Sequence, residues 1–208
     1  MKTDFSVEHR ILLGIYAVVL FWSVVNPKDL FTWFLEVFPA LIGVAVIGVT
    51  YFRFRLTTLA YTLICIHSVI LMIGGHYTYA EMPLFNLVRD VFHLSRNYYD
   101  RVGHFAQGFV PAIIASEIIL RTTPLRRGKM FSFIIICVCL AISAMYEFVE
   151  WWVSLAVGEN ADAFLATQGD VWDTQWDMFV ALCGAITALM FLQNVHQKQL
   201  NRLVPPKN

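Results

Sequence analysis

Apolar residues run through this chain in blocks too long and too continuous to be single faces of water-soluble helices, and polar residues gather in the gaps between them. Six blocks stand out, at 11–26, 30–52, 56–75, 99–120, 130–156 and 174–194. Each approaches the roughly 20 residues that an α-helix needs to cross a hydrocarbon core of about 30 Å. The pattern predicts an all-α fold, a polytopic transmembrane helical bundle of six spans, with residues 1–208 forming a single integral membrane domain. The gaps at 27–29 and 53–55 are short, which makes the first three spans an antiparallel hairpin series. Asn26-Pro27-Lys28 follows the first span where a signal peptide would carry small residues for cleavage, so that span reads as a retained helix. The insert 76–98 keeps only a weak apolar pattern and is expected to lie at the membrane interface.

Composition agrees: 58% of residues are hydrophobic and 14% charged, against about 25% charged in soluble chains. The net charge of zero hides a split. Eleven of fifteen basic residues fall in the N-terminus, the 53–55 and 121–129 loops and the C-terminal tail: Lys2, Arg10, Arg53, Arg55, Arg121, Arg126, Arg127, Lys129, Lys198, Arg202 and Lys207. By the positive-inside rule both termini are expected in the cytoplasm. The opposite side holds Lys28, Arg89, Arg96 and Arg101 against twelve of fifteen acidic residues, Glu36 and Glu159 among them. Scattered basic anchors make no patch for nucleic acid, so membrane lipids are the expected partners, and protein partners are not legible. Cys65, Cys137, Cys139 and Cys183 all fall inside spans, with no CxxC, and read as buried structural thiols.

The chemistry gathers at the outer ends of the last three spans. Asp100 and His104, four apart, share a helix face that continues through Gln107, Gly108, Pro111 and Ala115; small residues and a proline there favour a face turned into the bundle. Glu147 and Glu150, three apart, share a face with Ser143 and Ser154, and Asp173 and Asp177, four apart, share one with Ala181, Gly184 and Ala188. Alternating helix direction brings all three sets to one depth. Asp100, Asp170 and Asp173 also suit ordinary helix-start caps. Glu147 and Asp177 lie deeper, where an unpaired carboxylate is costly, and point to a paired or ligating role. His104 beside these carboxylates reads as a metal ligand or proton carrier, in a donor set that suits zinc, manganese or iron.

Elsewhere, His76 to Glu81 offers a lid or a further ligand, His67 a packed core imidazole bonded to a neighbouring helix, and Glu117 with Arg121 a snorkelling pair near the cytoplasmic edge. Trp151, Trp152, Trp172 and Trp176 read as interface anchors. No nucleotide-binding loop, HExxH, GxSxG or kinase signature occurs.

The runs YDRVGHFAQGFVPA from Tyr99, SAMYEFVEWW from Ser143 and ADAFLATQGDVWDTQWDM from Ala161 resemble the YjdF family of bacterial inner-membrane proteins over nearly the whole chain. The resemblance implies a location in the bacterial inner membrane and no particular reaction. A looser similarity joins Asp100-Arg101-x-x-His104-Phe105, Glu147, Asp177 and Gly184 to the VanZ-like membrane proteins, some linked to glycopeptide resistance; Asp177 stands where that pattern has another polar residue, and no function is transferred from it.

Two readings of the site remain open. In one, a divalent metal held by some of Asp100, His104, Glu147, Glu150, Asp173 and Asp177, with His104, Glu147 and Asp177 as the catalytic groups, acts on a lipid or envelope-precursor headgroup from the periplasmic side. In the other, the protein is not catalytic, and the same groups serve proton-coupled transport of a small solute or the binding of an envelope partner. Transport asks for polar residues through the full membrane thickness, and the cytoplasmic halves of these spans offer few.

Overall fold

A computed structural model describes residues 6–158 and 162–204. The charges at Lys2, Glu159 and Lys207 lie outside the described residues. Six long helices match the six apolar blocks within a few residues: α1 (Val7–Val24), α2 (Leu30–Thr50), α3 (Thr58–Tyr77), α5 (Tyr99–Thr122), α6 (Lys129–Val157) and α8 (Asp173–Phe191). All are long and apolar enough to cross a membrane. Three shorter helices complete the set, α4 (Pro83–Phe92), α7 (Asp162–Leu165) and α9 (Gln193–Leu203), and no strand occurs among the described residues.

Local signals place the starts. Ser6 accepts from the His9 amide at 3.3 Å, which begins α1 ahead of its apolar block. Asp29 accepts from the Thr32 amide at 2.6 Å and Thr57 from the Ala60 amide at 3.3 Å, capping α2 and α3. Those Thr32 bonds hold the Asp29 carboxyl below its ordinary range. The insert folds into one 3-10 turn, Tyr79–Glu81, and then α4, whose Leu84, Leu87 and Val91 are all exposed.

Packing centres on α5 against α8. A Cβ on Gly108 would fall on the Ala181 carbonyl and one on Gly184 on the Phe105 carbonyl, so glycine alone lets the two backbones meet. Around this pair, α3 packs on α5, α1 and α2 pack on α3, and α6 packs on α5 and α8. One apolar cluster joins Ala60, Ile113, Phe131, Ile135 and Ala188, and a second joins Trp33, Val37, Met72 and Tyr99. Large apolar side chains elsewhere point outward, among them Val18, Phe21, Phe133 and Met190, as helices facing lipid do.

Three expectations change. Cys137 is exposed where a buried thiol was expected, because it lies on the outward face of α6, while Cys139 is buried. Glu117 is fully buried and no snorkelling residue. It accepts from the Thr57 amide at 3.0 Å, the Thr57 hydroxyl at 2.8 Å, Arg121 at 2.9 Å and His196 Nε2 at 3.1 Å, tying the start of α3 and α9 to α5. Arg127 donates to His196 Nδ1 at 3.0 Å and so orients the ring. The His67 imidazole makes no hydrogen bond among the described residues; it lines the cavity described below.

Candidate functional site

The starts of α5 and α8, the last turns of α6 and the first third of α2 meet at one end of the bundle. His104 is buried at their centre. Its Nε2 lies 3.3 Å from Asp100 Oδ1 and 3.5 Å from Asp177 Oδ1, and its Nδ1 lies 3.1 Å from Gln107 Oε1 and 3.9 Å from Glu147 Oε1. The Tyr146 ring stands edge-on at 6.2 Å. Donor atoms of Asp100, His104 and Asp177 lie within 4.8 Å of one another, as do those of His104, Glu147 and Glu150.

The two halves of this cluster differ in charge balance. On the α8 side, Arg96 and Arg101 bind the aspartates. Asp173 Oδ1 receives both guanidinium groups at 2.5 Å; Arg101 also pairs with Asp177 and, at 3.3 Å, with Asp100. Asp170 lies 3.4 Å from both arginines. Neither Asp100 nor Asp173 caps its helix, because α5 and α8 start on Tyr98 and Trp172 without a side-chain bond. Asp170 does accept from the Trp172 amide at 3.0 Å. Of the expected ligands, Asp173 is thus held by arginine, and Asp177 and Asp100 are shared between arginine and His104.

On the α6 side the carboxylates have no such counter-charges. Glu147 is buried, and its Oε1 has no hydrogen-bond partner among the described residues. Glu150 completes the triad with His104. Ser143, one turn deeper, is buried with its hydroxyl likewise unpartnered.

Several residues of the site went unread in the sequence. Glu36 of α2 is buried, lines the same cavity as His104 and Glu150, and lies by Tyr79, Tyr146 and Asp100. Its signal was available: it is the one charge within α2, and an ionisable group inside a span is a functional candidate by default. Tyr79 reaches the site from the 3-10 turn, its ring packed where Gly74 and Gly103 leave room. Burial, and then the Glu36 charge beside it, push the Tyr79 phenol above its ordinary value, so it remains a proton donor. His76 and Glu81 do not join: His76 Nδ1 donates to the Ser23 carbonyl at 3.1 Å, and Glu81 pairs with Lys28.

The loops over the site are clamped to each other. Asn97 is fully buried and exchanges two bonds of 2.9 Å with the Gln168 side chain, through its amide and its carbonyl. Arg96 adds a 3.0 Å bond to the Ala166 carbonyl. Ala166 and Gln168 sit at φ of 50° and 49°, an uncommon region for residues other than glycine, held there by these contacts.

A cavity of about 760 Å³ opens from this cluster and runs between α2, α3, α5 and α6. Its head carries Glu36, Asp100, His104, Tyr146 and Glu150. His67 and Gln107 stand lower, and below them the wall is Gly43, Val46, Ile64, Ile114 and Ile118.

Comparison with known proteins finds a relative, the inner membrane protein YjdF of Escherichia coli (strain K12), 51% identical over 185 residues, covering 89% of this chain and 88% of the relative. No solved structure matches. The family model described as a predicted membrane protein, DUF2238, matches residues 8–198. With six apolar helices and these matches, the chain is a multi-pass inner-membrane protein and belongs to the DUF2238 family.

Proposed function

We propose that this protein is a divalent-metal-dependent enzyme acting on the headgroup of a lipid or envelope precursor at the periplasmic face of the inner membrane. The observation that carries it is the buried, unpartnered Glu147 Oε1 beside His104 and Glu150. Thr174 bonds the Glu147 carboxyl, but its Oε1 is buried with only the His104 ring nearby at 3.9 Å. A buried oxygen left without a hydrogen bond is suited to a cation, and oxygen donors with one imidazole suit zinc, manganese or iron.

His104, Glu147 and Glu150 would hold the ion, which when bound supplies an activated water or a polarised headgroup oxygen. Asp100 and Asp177 face the other edge of the imidazole and fix the ring, as carboxylates behind a metal-bound histidine do. An ion held by His104 would compete with its Gln107 contact. Arg96 and Arg101 hold Asp173 and Asp177 in place and keep them out of the ligand set. Tyr79 offers a proton donor beside Glu36.

The excess of basic residues in the opposite loops supports a periplasmic orientation. A continuous polar pathway for transport finds less support, because Val110, Pro111 and Ile114 line the cavity between Gln107 and Glu117. Elemental analysis of detergent-purified protein tests the reading. Wild type is expected to carry stoichiometric divalent metal, lost in His104→Ala and Glu147→Ala; metal-free wild type rejects it. Lipid and cell-wall profiles of a deletion strain then identify the accumulating substrate.

A further inference from the structure

We infer that the cavity below the site holds a hydrocarbon chain of a glycerophospholipid, which enters sideways between α2 and α6 and places its headgroup against His104, Glu147 and Glu150. The headgroup half of this inference rests on the proposed function; the chain half stands on the cavity alone.

The cavity changes character along its length. Its ionisable groups sit at one end, and beyond His67 and Gln107 its walls are largely apolar, the exceptions Thr50 and Thr122 having their hydroxyls bonded to the Val46 and Ile118 carbonyls of their own helices. From Glu36 to Thr50, both on its wall, α2 rises about 21 Å at 1.5 Å per residue. That exceeds the roughly 15 Å of one leaflet of the hydrocarbon core, so a chain can lie extended in it past the midplane. Walls of this kind give water few bonding partners, and such space takes apolar occupants.

The side of the cavity faces the membrane. α2 packs on α3, and α6 on α5 and α8, while α2 and α6 are not a packed pair. Their flanking residues Phe38, Ile42, Met145 and Phe148 are exposed and belong to the lipid-facing surface. The opening is therefore continuous with the bilayer. A molecule arriving from there has its apolar part in the shaft and its polar part at the only charged end of the cavity wall described. Gly43 widens the shaft: a Cβ there meets nothing within 4 Å.

The test uses phosphatidylglycerol with a diazirine at the end of one acyl chain, reconstituted with the full-length protein in phosphatidylethanolamine liposomes and irradiated. Adducts are mapped by peptide mass spectrometry. Labelling of the half-buried Ile64 and Ile114 is expected to exceed that of the lipid-facing Val18 and Phe21 severalfold, and Gly43→Phe is expected to lower the cavity signal severalfold while leaving metal content and elution volume unchanged. Even labelling of cavity and α1, or cavity labelling that survives Gly43→Phe in folded protein, overturns the inference. So does the joining of two copies across α2 and α6 by a bifunctional cross-linker added to the same liposomes, which means that a second copy covers the opening. The wild-type map decides even if the variant misfolds. Metal-free protein that still labels its cavity removes the proposed reaction and keeps the chain site; metal-loaded protein labelled evenly does the reverse.

Discussion

Arg101 and Glu147 sit a few ångströms from the same imidazole and should respond to substitution in opposite ways. Arg101 binds Asp173, Asp177 and Asp100, and the Asp177 side chain is only 2% exposed. Removing one partner of a buried ion pair leaves uncompensated charge, at about 3–5 kcal/mol. Arg101→Ala is expected to lower stability by about that amount, read as a drop in the unfolding midpoint in detergent. Glu147 has an oxygen with nothing to bond. Glu147→Gln should leave the chelator-treated protein as stable as wild type or more so, while abolishing the metal-dependent rise in midpoint shown by wild type. Equal losses from both substitutions would mean that Glu147 is a structural ion-pair member and not a ligand. The pairs Asp100–His104, Glu147–Glu150 and Asp173–Asp177 were legible because helical spacing puts each on one face. The arginine partners were not. Arg96 meets Asp173 across 77 residues, and periodicity says which way a side chain points without naming what it meets.

Helix positions were legible from hydropathy, since each block had to satisfy its own backbone in lipid. The small-residue stripes on α5 and α8 also marked the faces that meet, and the contact makes a prediction. A side chain at Gly108 must push α8 away by its backbone, because the obstacle is the Ala181 carbonyl. Gly108→Leu is expected to destabilise by at least the roughly 1–3 kcal/mol typical of overpacking and to reduce metal content as well, because α8 carries Asp177 and α5 carries His104. Circular-dichroism melts and metal analysis on one preparation check both. Gly43→Leu, placed where a Cβ meets nothing, is the matched control and should melt as wild type does. The cavity itself was illegible: a gap is made by residues on four helices that fail to meet, and no single segment carries that pattern. Helix α4 is a further case. Its exposed Leu84, Leu87 and Val91 recur at helical spacing, a face suited to lying in the interface.

At the scale of the molecule, the two ends of the bundle carry different chemistry. One end gathers Glu36, Asp100, His104, Glu147, Glu150, Asp173 and Asp177 with two arginines; the other is sealed by the Glu117 knot to Thr57, Arg121 and His196. The bundle fixes that these ends are opposite, because consecutive spans alternate, but the direction of insertion depends on loop charge. Nine of the thirteen basic residues among the described residues lie with the knot, and each basic residue near a span end favours the cytoplasmic side. The site end should therefore face the periplasm, where its headgroup substrate would be met. Single cysteines at Val171, which is 85% exposed, and at the exposed Asn201 of α9, in a background with the four native cysteines replaced, separate the two orientations. A membrane-impermeant maleimide added to intact spheroplasts is expected to label Val171→Cys fully and Asn201→Cys only after lysis. The reverse pattern would put the carboxylate cluster in the cytoplasm and remove envelope precursors displayed outside from its possible substrates. It would leave the α2–α6 opening intact, since a lateral entrance serves either leaflet.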